Sequence, residues 1–260
     1  MPLMPTEKYE LLRSALDELP INVTFCWVVV DGLVDGEIIV DNLIQPKCFY
    51  IYNNYGMSLI YYPTGANNFL EEVSKIISTR VVDEWLQIWP ASLQSSILIL
   101  LNTDRVKQYR RQNFVFNLKR FKSLNVNLCD YDMVEITRDM YESMHGDIIP
   151  SLFWRNVEQF TKIGKGFAVI LNDILISFAF SAFMHDRILE IGIETVPTYR
   201  GQGYATIACT ALINFCAGNN FTPVWSCRYE NIESLRLAEK LGFEPTLQVP
   251  YIHIVPRCSV

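Results

Sequence analysis

The sequence is short of histidine, with three in 260 residues, and its cysteines follow no pattern. Seven cysteines stand at 26, 48, 129, 209, 216, 227 and 258, an odd number with no C-x-x-C pair. That spacing fits neither a zinc site nor a disulfide framework, and we expect no bound metal. Reduced thiols in a cytoplasmic protein fit better. The N-terminus, M-P-L-M-P-T-E-K-Y-E, carries no apolar leader, and the apolar runs, such as Ile97 to Leu101, are strand-sized. A membrane partner is therefore not expected. Positive charge is also scarce. The net charge of -6 argues against a dedicated DNA binder, because phosphate contacts dominate that affinity. The exception is Lys107 to Lys122, K-Q-Y-R-R-Q-N-F-V-F-N-L-K-R-F-K, which reads first as a solvated face.

What the chain does have is apolar residues, half of the total, enough for a sizeable core. Its first half reads as a strand and helix mixture. A helical pattern over 6–19 ends at Pro20. Strands are expected at Val23–Val30, Glu37–Val40, Cys48–Tyr52 and Met57–Tyr62, the last two joined by a turn at Asn53-Asn54-Tyr55-Gly56. Helices are expected near 67–78, 81–88 and 103–111, with strands at Ser96–Leu101 and Phe114–Phe121. The second half begins with helices at Tyr131–Met144 and Ser151–Lys162. Strands follow at Phe167–Leu171, Ile174–Met184 and Arg187–Val196, with turns at Asn172-Asp173 and His185-Asp186. A helix over 202–217 places Ala205, Ala208, Cys209, Leu212, Ile213 and Cys216 on one face. A strand at Pro223–Ser226, a helix over 231–241 closed by Gly242, and a tail of one or two strands over Phe243–Val255 complete the chain.

The stretch E-T-V-P-T-Y-R-G-Q-G-Y-A-T, from Glu194 to Thr206, leaves a strand and opens a long helix. Glycines at 201 and 203 let backbone fold close to a ligand. The first helical turn has free N–H groups and the positive end of the helix dipole, and Arg200 adds a forked donor. Together they outline a pyrophosphate cradle. A dinucleotide fingerprint does not fit, because Thr206 stands where its third glycine belongs. No Walker lysine follows either. A plain strand-to-helix turn is the alternative.

About thirty residues on, the chain reads N-I-E-S-L-R-L-A-E-K-L-G-F, from Asn231 to Phe243. R-G-Q-G-Y-A followed by this second motif resembles the GNAT acyltransferase superfamily. E-I-G-I-E-T (Glu190 to Thr195) and W-S-C-R-Y-E-N (Trp225 to Asn231) look like its branch containing the zwittermicin A resistance acetyltransferase. The resemblance covers roughly residues 130–256. It implies an α/β fold with a mixed central sheet flanked by helices, and acetyl-CoA as cosubstrate. A catalytic domain over 114–260 would follow an N-terminal α/β lobe over 1–113, in related proteins a degenerate copy of the same fold. The motif R/Q-x-x-G-x-G/A maps onto Arg200, Gly203 and Ala205. The resemblance makes Gly201, Gln202, Gly203, Tyr204, Ala205 and Thr206 the pyrophosphate turn. It also lays the pantetheine arm along the preceding strand, at Ile193, Thr195 and Val196. Asn231 and Ser234 would contact the pantetheine or the sulfur.

Acetyl transfer to an amine requires a proton acceptor, a donor to the thioester oxygen and a partner for the departing thiolate. Glu190 and Glu194, four apart in a strand, share a face and are candidate bases, as acceptors of the amine proton directly or through water. A solvated strand face is the alternative. Many relatives carry tyrosine where this sequence has Ala238. Tyr251, Tyr229, Ser234 and Cys227 are the substitutes as acid, with Tyr251 preferred. The acceptor implied is a small-molecule amine, attacked directly in a ternary complex. Two alternatives stay open. One is acetylation of a protein, peptide or aminoacyl-tRNA, supported by the 107–122 stretch. The other is a non-catalytic acyl-CoA sensor, supported by Ala238. A homodimer is also left open.

Overall fold

The computed structural model describes residues 1–63, 68–124, 126, 128 and 131–256. Two of the seven cysteines, Cys129 and Cys258, lie outside the described residues. The chain forms two compact units. The first holds Met1–Gln112, Cys227–Glu230 and the chain from Leu247 onward; the second holds Asn113–Ser226 and Asn231–Thr246.

In the first unit a 3-10 stretch, Thr6–Leu12, runs into α1 (Arg13–Asp17). Then come α2 (Thr24–Val30), β1 (Gly36–Val40), β2 (Phe49–Asn53), β3 (Met57–Tyr61), α3 (Phe69–Thr79), β4 (Glu84–Trp89), α4 (Gln94–Leu101) and β5 (Val106–Phe116). Four segments of this unit differ from the sequence expectation, and beyond it the expected strand Phe114–Phe121 gives way to a helix at Leu118. Residues 23–30 form a helix rather than a strand, and every residue of α2 is buried, so no polar face marks its period. Residues 96–101 are helical too: Ile97 and Leu101 are buried four apart while Ile99 is 75 % exposed. Residues 81–88 contain most of β4, and 103–111 contain much of β5, where charged side chains hide the alternation.

One face of this unit's sheet buries Tyr50, Ile60, Leu86 and Ile252 with Phe69, Val73 and Ile77 of α3 and Ile97 and Leu101 of α4. Removing these side chains from water supplies the unit's main driving force. A buried carboxylate interrupts the same core. Glu84 Oε1 accepts from the Tyr50 hydroxyl at 2.7 Å and the Ser58 hydroxyl at 2.6 Å. Arg80 Nε lies 3.2 Å from Oε2. Arg80 also packs its guanidinium on the Tyr52 ring, 3.7 Å from the centroid.

The second unit begins with α5 (Leu118–Lys122), β6 (Asp132–Glu135), α6 (Arg138–Ser143), α7 (Pro150–Phe153) and α8 (Val157–Ile163). The meander β7 (Gly166–Leu171), β8 (Ile174–His185) and β9 (Ile188–Thr195) follows, then α9 (Tyr204–Gly218) and β10 (Thr222–Val224). After β11 (Ser226–Arg228) come α10 (Ile232–Lys240) and β12 (Phe243–Ile254), a single strand. Residues 131–144 divide into β6 and α6 instead of forming one helix. Thr137 makes the break: it caps α6 by accepting the Met140 N–H at 3.3 Å. Residues 151–162 likewise divide into α7 and α8.

The smaller sheet has the order β10-β9-β8-β7-β6, and the larger β1-β2-β3-β4-β12-β5-β11. Element order repeats between the units. Each has a three-strand antiparallel meander, a helix, then a strand parallel to the meander's last: β1-β2-β3-α3-β4 in one, β7-β8-β9-α9-β10 in the other. The two differ at the parallel pair. β3 and β4 stay paired over five residues, Met57↔Trp85 to Tyr61↔Trp89. β10 pairs with β9 over only three, Thr222↔Ile188 to Val224↔Glu190.

Burial pushes the Glu84 carboxyl above the usual carboxylate range, against the donors and the arginine that favour the charge. A raised native pKa means that the folded chain holds this proton more tightly than the unfolded one. Glu84's titration therefore favours folding fully below about pH 4.3 and loses that contribution as pH rises through its native pKa. In urea unfolding from about pH 4 to about pH 8, Glu84→Gln should gain on the parent as pH rises. A constant difference across that range would contradict this account.

Candidate active site

Parting of the parallel pair defines the site. Beyond Glu190↔Val224 the chain leaves β9. Pro223 stands within the paired stretch, opposite Leu189. Trp225 is buried, its ring 5.6 Å from that of Phe243 and its Nε1–H on the Ser234 hydroxyl at 3.1 Å. From Ile191 to Thr195, β9 pairs on one side with β8, and among the described residues no strand pairs with its other edge.

That open edge leads into the glycine turn. Gly201 and Gly203 have φ of +75° and +92°, the left-handed region that glycine enters without strain. A Cβ at either would meet open space. Gly203 caps α9 without a side chain, and its carbonyl accepts from Thr206 at 2.9 Å and Ile207 at 3.3 Å. The N–H groups of Gly201, Gln202, Gly203, Tyr204 and Ala205 have no acceptor among the described residues. Gly201, Gln202 and Gly203 are exposed, Tyr204 and Ala205 half-buried, and Thr206 is buried. Five open donors at the N-terminus of a fifteen-residue helix suit a diphosphate. Arg200 behaves otherwise than a free phosphate fork. Its Nε donates to the Thr195 carbonyl at 3.1 Å and its Nη2 to Glu194 at 3.0 Å, which ties the turn back to β9.

Cross-strand register assigns the faces of β9. Glu190, Gly192 and Glu194 stand opposite Phe183, Phe180 and Phe178 of β8. Phe153 of α7 covers this face, its ring 5.5 Å from Phe180 and 5.3 Å from Phe183. Ile193 stands opposite Ala179, which in turn opposes Phe167, and Phe167 packs on Phe215 of α9. So α9 lies on the face that the glutamates do not use. Thr195 is buried, with its hydroxyl 2.8 Å from that of Ser177, and Val196 donates its N–H to Ile176.

Glu190 is only 6 % exposed and accepts from the Ser226 hydroxyl at 3.1 Å. Sequence reasoning quoted Ser226 within W-S-C-R-Y-E-N but did not join it to Glu190, which lies 36 residues away. Glu194 has different surroundings. Its Oε1 accepts from Arg200 and from the Thr195 N–H at 3.1 Å, and its Oε2 from the Ile148 N–H at 3.2 Å. The Phe180 ring separates the two carboxylates. A Cβ at Gly192 would stand 2.7 to 3.1 Å from that ring's edge, so the ring occupies the space between Glu190 and Glu194.

Asn231 caps α10 by accepting the Ser234 N–H at 3.1 Å. Ser234 is half-buried, and with Trp225 as its donor its own hydroxyl proton remains to be given. Ala238 is fully buried. Tyr251 belongs to the first unit. It is buried there, opposite Gln87, with Arg111 Nη1 at 3.4 Å from its hydroxyl and the Trp85 ring at 4.9 Å. Tyr229 and Cys227 also fall in that unit, and the Arg110 guanidinium sits 4.0 Å from the Tyr229 ring centroid. The basic stretch is engaged elsewhere too: Arg111 is buried, and Arg120 lies 3.5 Å from Glu244. Burial pushes the thiols of Cys26, Cys209 and Cys216 up, the last to about 12, so none is a ready nucleophile. Among the described residues no three His, Cys, Asp or Glu side chains gather as metal ligands, and no helix is long and apolar enough to cross a membrane.

A profile described as GNAT acetyltransferase matches residues 18–251. The chain belongs to the GNAT acetyltransferase family. It is an N-acetyltransferase, and acetyl-CoA is the family's cosubstrate. A relative from Bacillus subtilis (strain 168), the uncharacterized N-acetyltransferase YdfB, is 27 % identical over 247 residues, 92 % of each chain. In fold the chain resembles a GCN5-related N-acetyltransferase-like protein from Streptococcus suis 89/1591. That match has a TM-score of 0.74 at 23 % identity, over 94 % of this chain and 98 % of that one. It also resembles a tandem GNAT protein from the clavulanic acid biosynthesis pathway, with a TM-score of 0.62 at 10 % identity over 97 % and 96 %. The expected GNAT fold, a mixed α/β architecture with helices flanking mixed sheets, is thus borne out.

Gly192 tests the packing of this candidate site. Gly192→Ala forces the Phe180 ring off β9 and should cost about 1–3 kcal/mol of stability. Thermal unfolding should show a lower Tm. An unchanged Tm would mean that the ring does not depend on the missing side chain.

Proposed function

We propose that the protein transfers the acetyl group of acetyl-CoA to the primary amine of a small molecule, by direct attack in a ternary complex. The observation that carries this is the open edge of β9 running into five unpaired turn amides. An extended pantetheine arm can add to that edge as a strand would, with its diphosphate on Gly201 to Ala205. A backbone N–H of the same edge donates to the thioester oxygen as negative charge develops there.

Glu190 is the base in this reading. An amine of pKa about 10.4 is charged at neutral pH and must lose a proton before it can attack. Glu190 has an oxygen oriented by Ser226 and lies where the parallel pair parts. The amine nitrogen bonds to the acetyl carbon, the carbon–sulfur bond breaks, and the proton passes to Glu190. Ser234, with its proton to give, serves the leaving thiolate better than Tyr251, which is engaged with Arg111. Asn231 acts through the cap that sets Ser234.

Residues 114–260 carry this chemistry, and the 1–113 lobe is a degenerate copy of the same fold, a reading supported by the repeated element order. The acceptor class rests on E-I-G-I-E-T and W-S-C-R-Y-E-N, which resemble the antibiotic-modifying zwittermicin A branch. Engagement of Arg110, Arg111 and Arg120 within the fold weakens the aminoacyl-tRNA reading. Cys26, Cys209 and Cys216 are buried free thiols, in keeping with a reducing cytoplasm.

Calorimetry should detect binding of CoA and acetyl-CoA. Gly203→Glu sets a carboxylate beside the diphosphate in a left-handed position and should abolish that binding, at a folding cost of about 1–2 kcal/mol. Undiminished binding by that variant would sink the reading. With an amine that turns over, Glu190→Gln should lower kcat by about 10²–10⁴-fold. Tight CoA binding without turnover on any amine would favour a sensor.

A further inference from the structure

We infer that Glu194 is a positioning residue, and that its carboxylate sets the acceptor side and the CoA side of the site together. This rests on the acetyl-transfer reading above and adds a role for Glu194 distinct from that of a base. Three segments converge on this one side chain. From β9 comes the Thr195 N–H, from the turn comes Arg200, and from the loop between α6 and α7 comes the Ile148 N–H. Glu194 thus has donors on both oxygens, and its side chain is only 12 % exposed. A carboxylate so engaged has little room to receive an amine proton.

The loop is shaped to this carboxylate. Gly146 has φ of +148°, and a Cβ there would meet Glu194 Cγ at 3.1 Å and Oε2 at 3.2 Å. The backbone thus closes over Glu194 at a point where only glycine fits easily. The loop lies on the face of β9 that carries Glu190, because Glu194 shares that face. An amine that gives its proton to Glu190 must approach on that side. The loop is therefore a wall of the acceptor approach, and Glu194 holds it. Through Arg200, which also holds the Thr195 carbonyl, the same carboxylate fixes the start of the turn whose amides take the diphosphate. The Phe180 ring between Glu190 and Glu194 keeps the proton-transfer position apart from the clamp.

The kinetic test compares Glu194→Gln with Glu190→Gln in the full chain. Glu194→Gln should raise KM for the amine about tenfold and raise KM for acetyl-CoA, with kcat within about threefold of the parent. The acid limb of the kcat/KM profile should persist, and Glu194→Asp should not rescue, because the shorter side chain cannot reach Ile148. Loss of kcat by about a hundredfold or more together with the acid limb would make Glu194 the base and overturn the inference. Unchanged KM for both substrates would overturn it equally. A second readout needs no turnover: the Ile148 amide should exchange with solvent at least about tenfold faster in Glu194→Gln. Unchanged exchange sinks the clamp even if acetyl transfer is proven. Faster exchange in a chain that acetylates nothing leaves the clamp standing and sinks the reaction instead.

Discussion

A backbone donor or acceptor taken out of a sheet must find another partner, and the second unit depends on where that happens. β10 stays beside β9 for three residues and then leaves. Pro223 brings no N–H, and Trp225 is drawn toward Phe243 and Ser234. Proline is tolerated at a sheet edge, where pairing can stop. The result is a stretch of β9 with one bonded side and one open side, followed at once by a turn with unpaired amides. An edge of this kind invites pairing with any extended chain. A ligand that is itself extended, with amide groups along it and a diphosphate at its end, can satisfy the edge and the turn together.

The surrounding packing keeps that edge in place. Gly192 allows the Phe180 ring onto the strand, Phe153 covers Phe180 and Phe183, and α9 supports the opposite face through Phe215 on Phe167. A strand supported on both faces can lack a neighbour on one edge and stay straight. The polar groups on it then acquire different surroundings although they belong to the same residue type. Glu190 accepts from the Ser226 hydroxyl of a distant segment, whereas on Glu194 donors from three segments converge.

What could be read from the sequence follows the range of the interactions that decide each feature. The glycine turn, the long helix after it, the helix that opens at Asn231 and the meander of β7, β8 and β9 are all set by neighbours a few residues away, and all were legible. Residues 23–30 and 96–101 were misread because a short apolar run fits a buried helix and a strand equally, and burial of a whole helix erases its period. β4 and β5 were hidden by charged and aromatic residues that read as helical faces. In the site, Ser226 on Glu190 and Ile148 on Glu194 join residues 36 and 46 apart. The sequence pointed to the two glutamates, but only the fold distinguishes their surroundings.

The repeated element order shows how little separates a strand pair that closes from one that opens. In the first unit the last strand of the meander and its parallel neighbour stay together for five residues, and that neighbour, E-W-L-Q-I-W, contains no proline. Its polar group in the core, Glu84, is met by Tyr50, Ser58 and Arg80 of the same unit. In the second unit the corresponding strand is T-P-V, and pairing ends there. The internal ladder of the first unit thus has as its counterpart a short pair that parts just before the buried Trp225. The same topology thus keeps its parallel pair together in one half of the chain and parts it in the other.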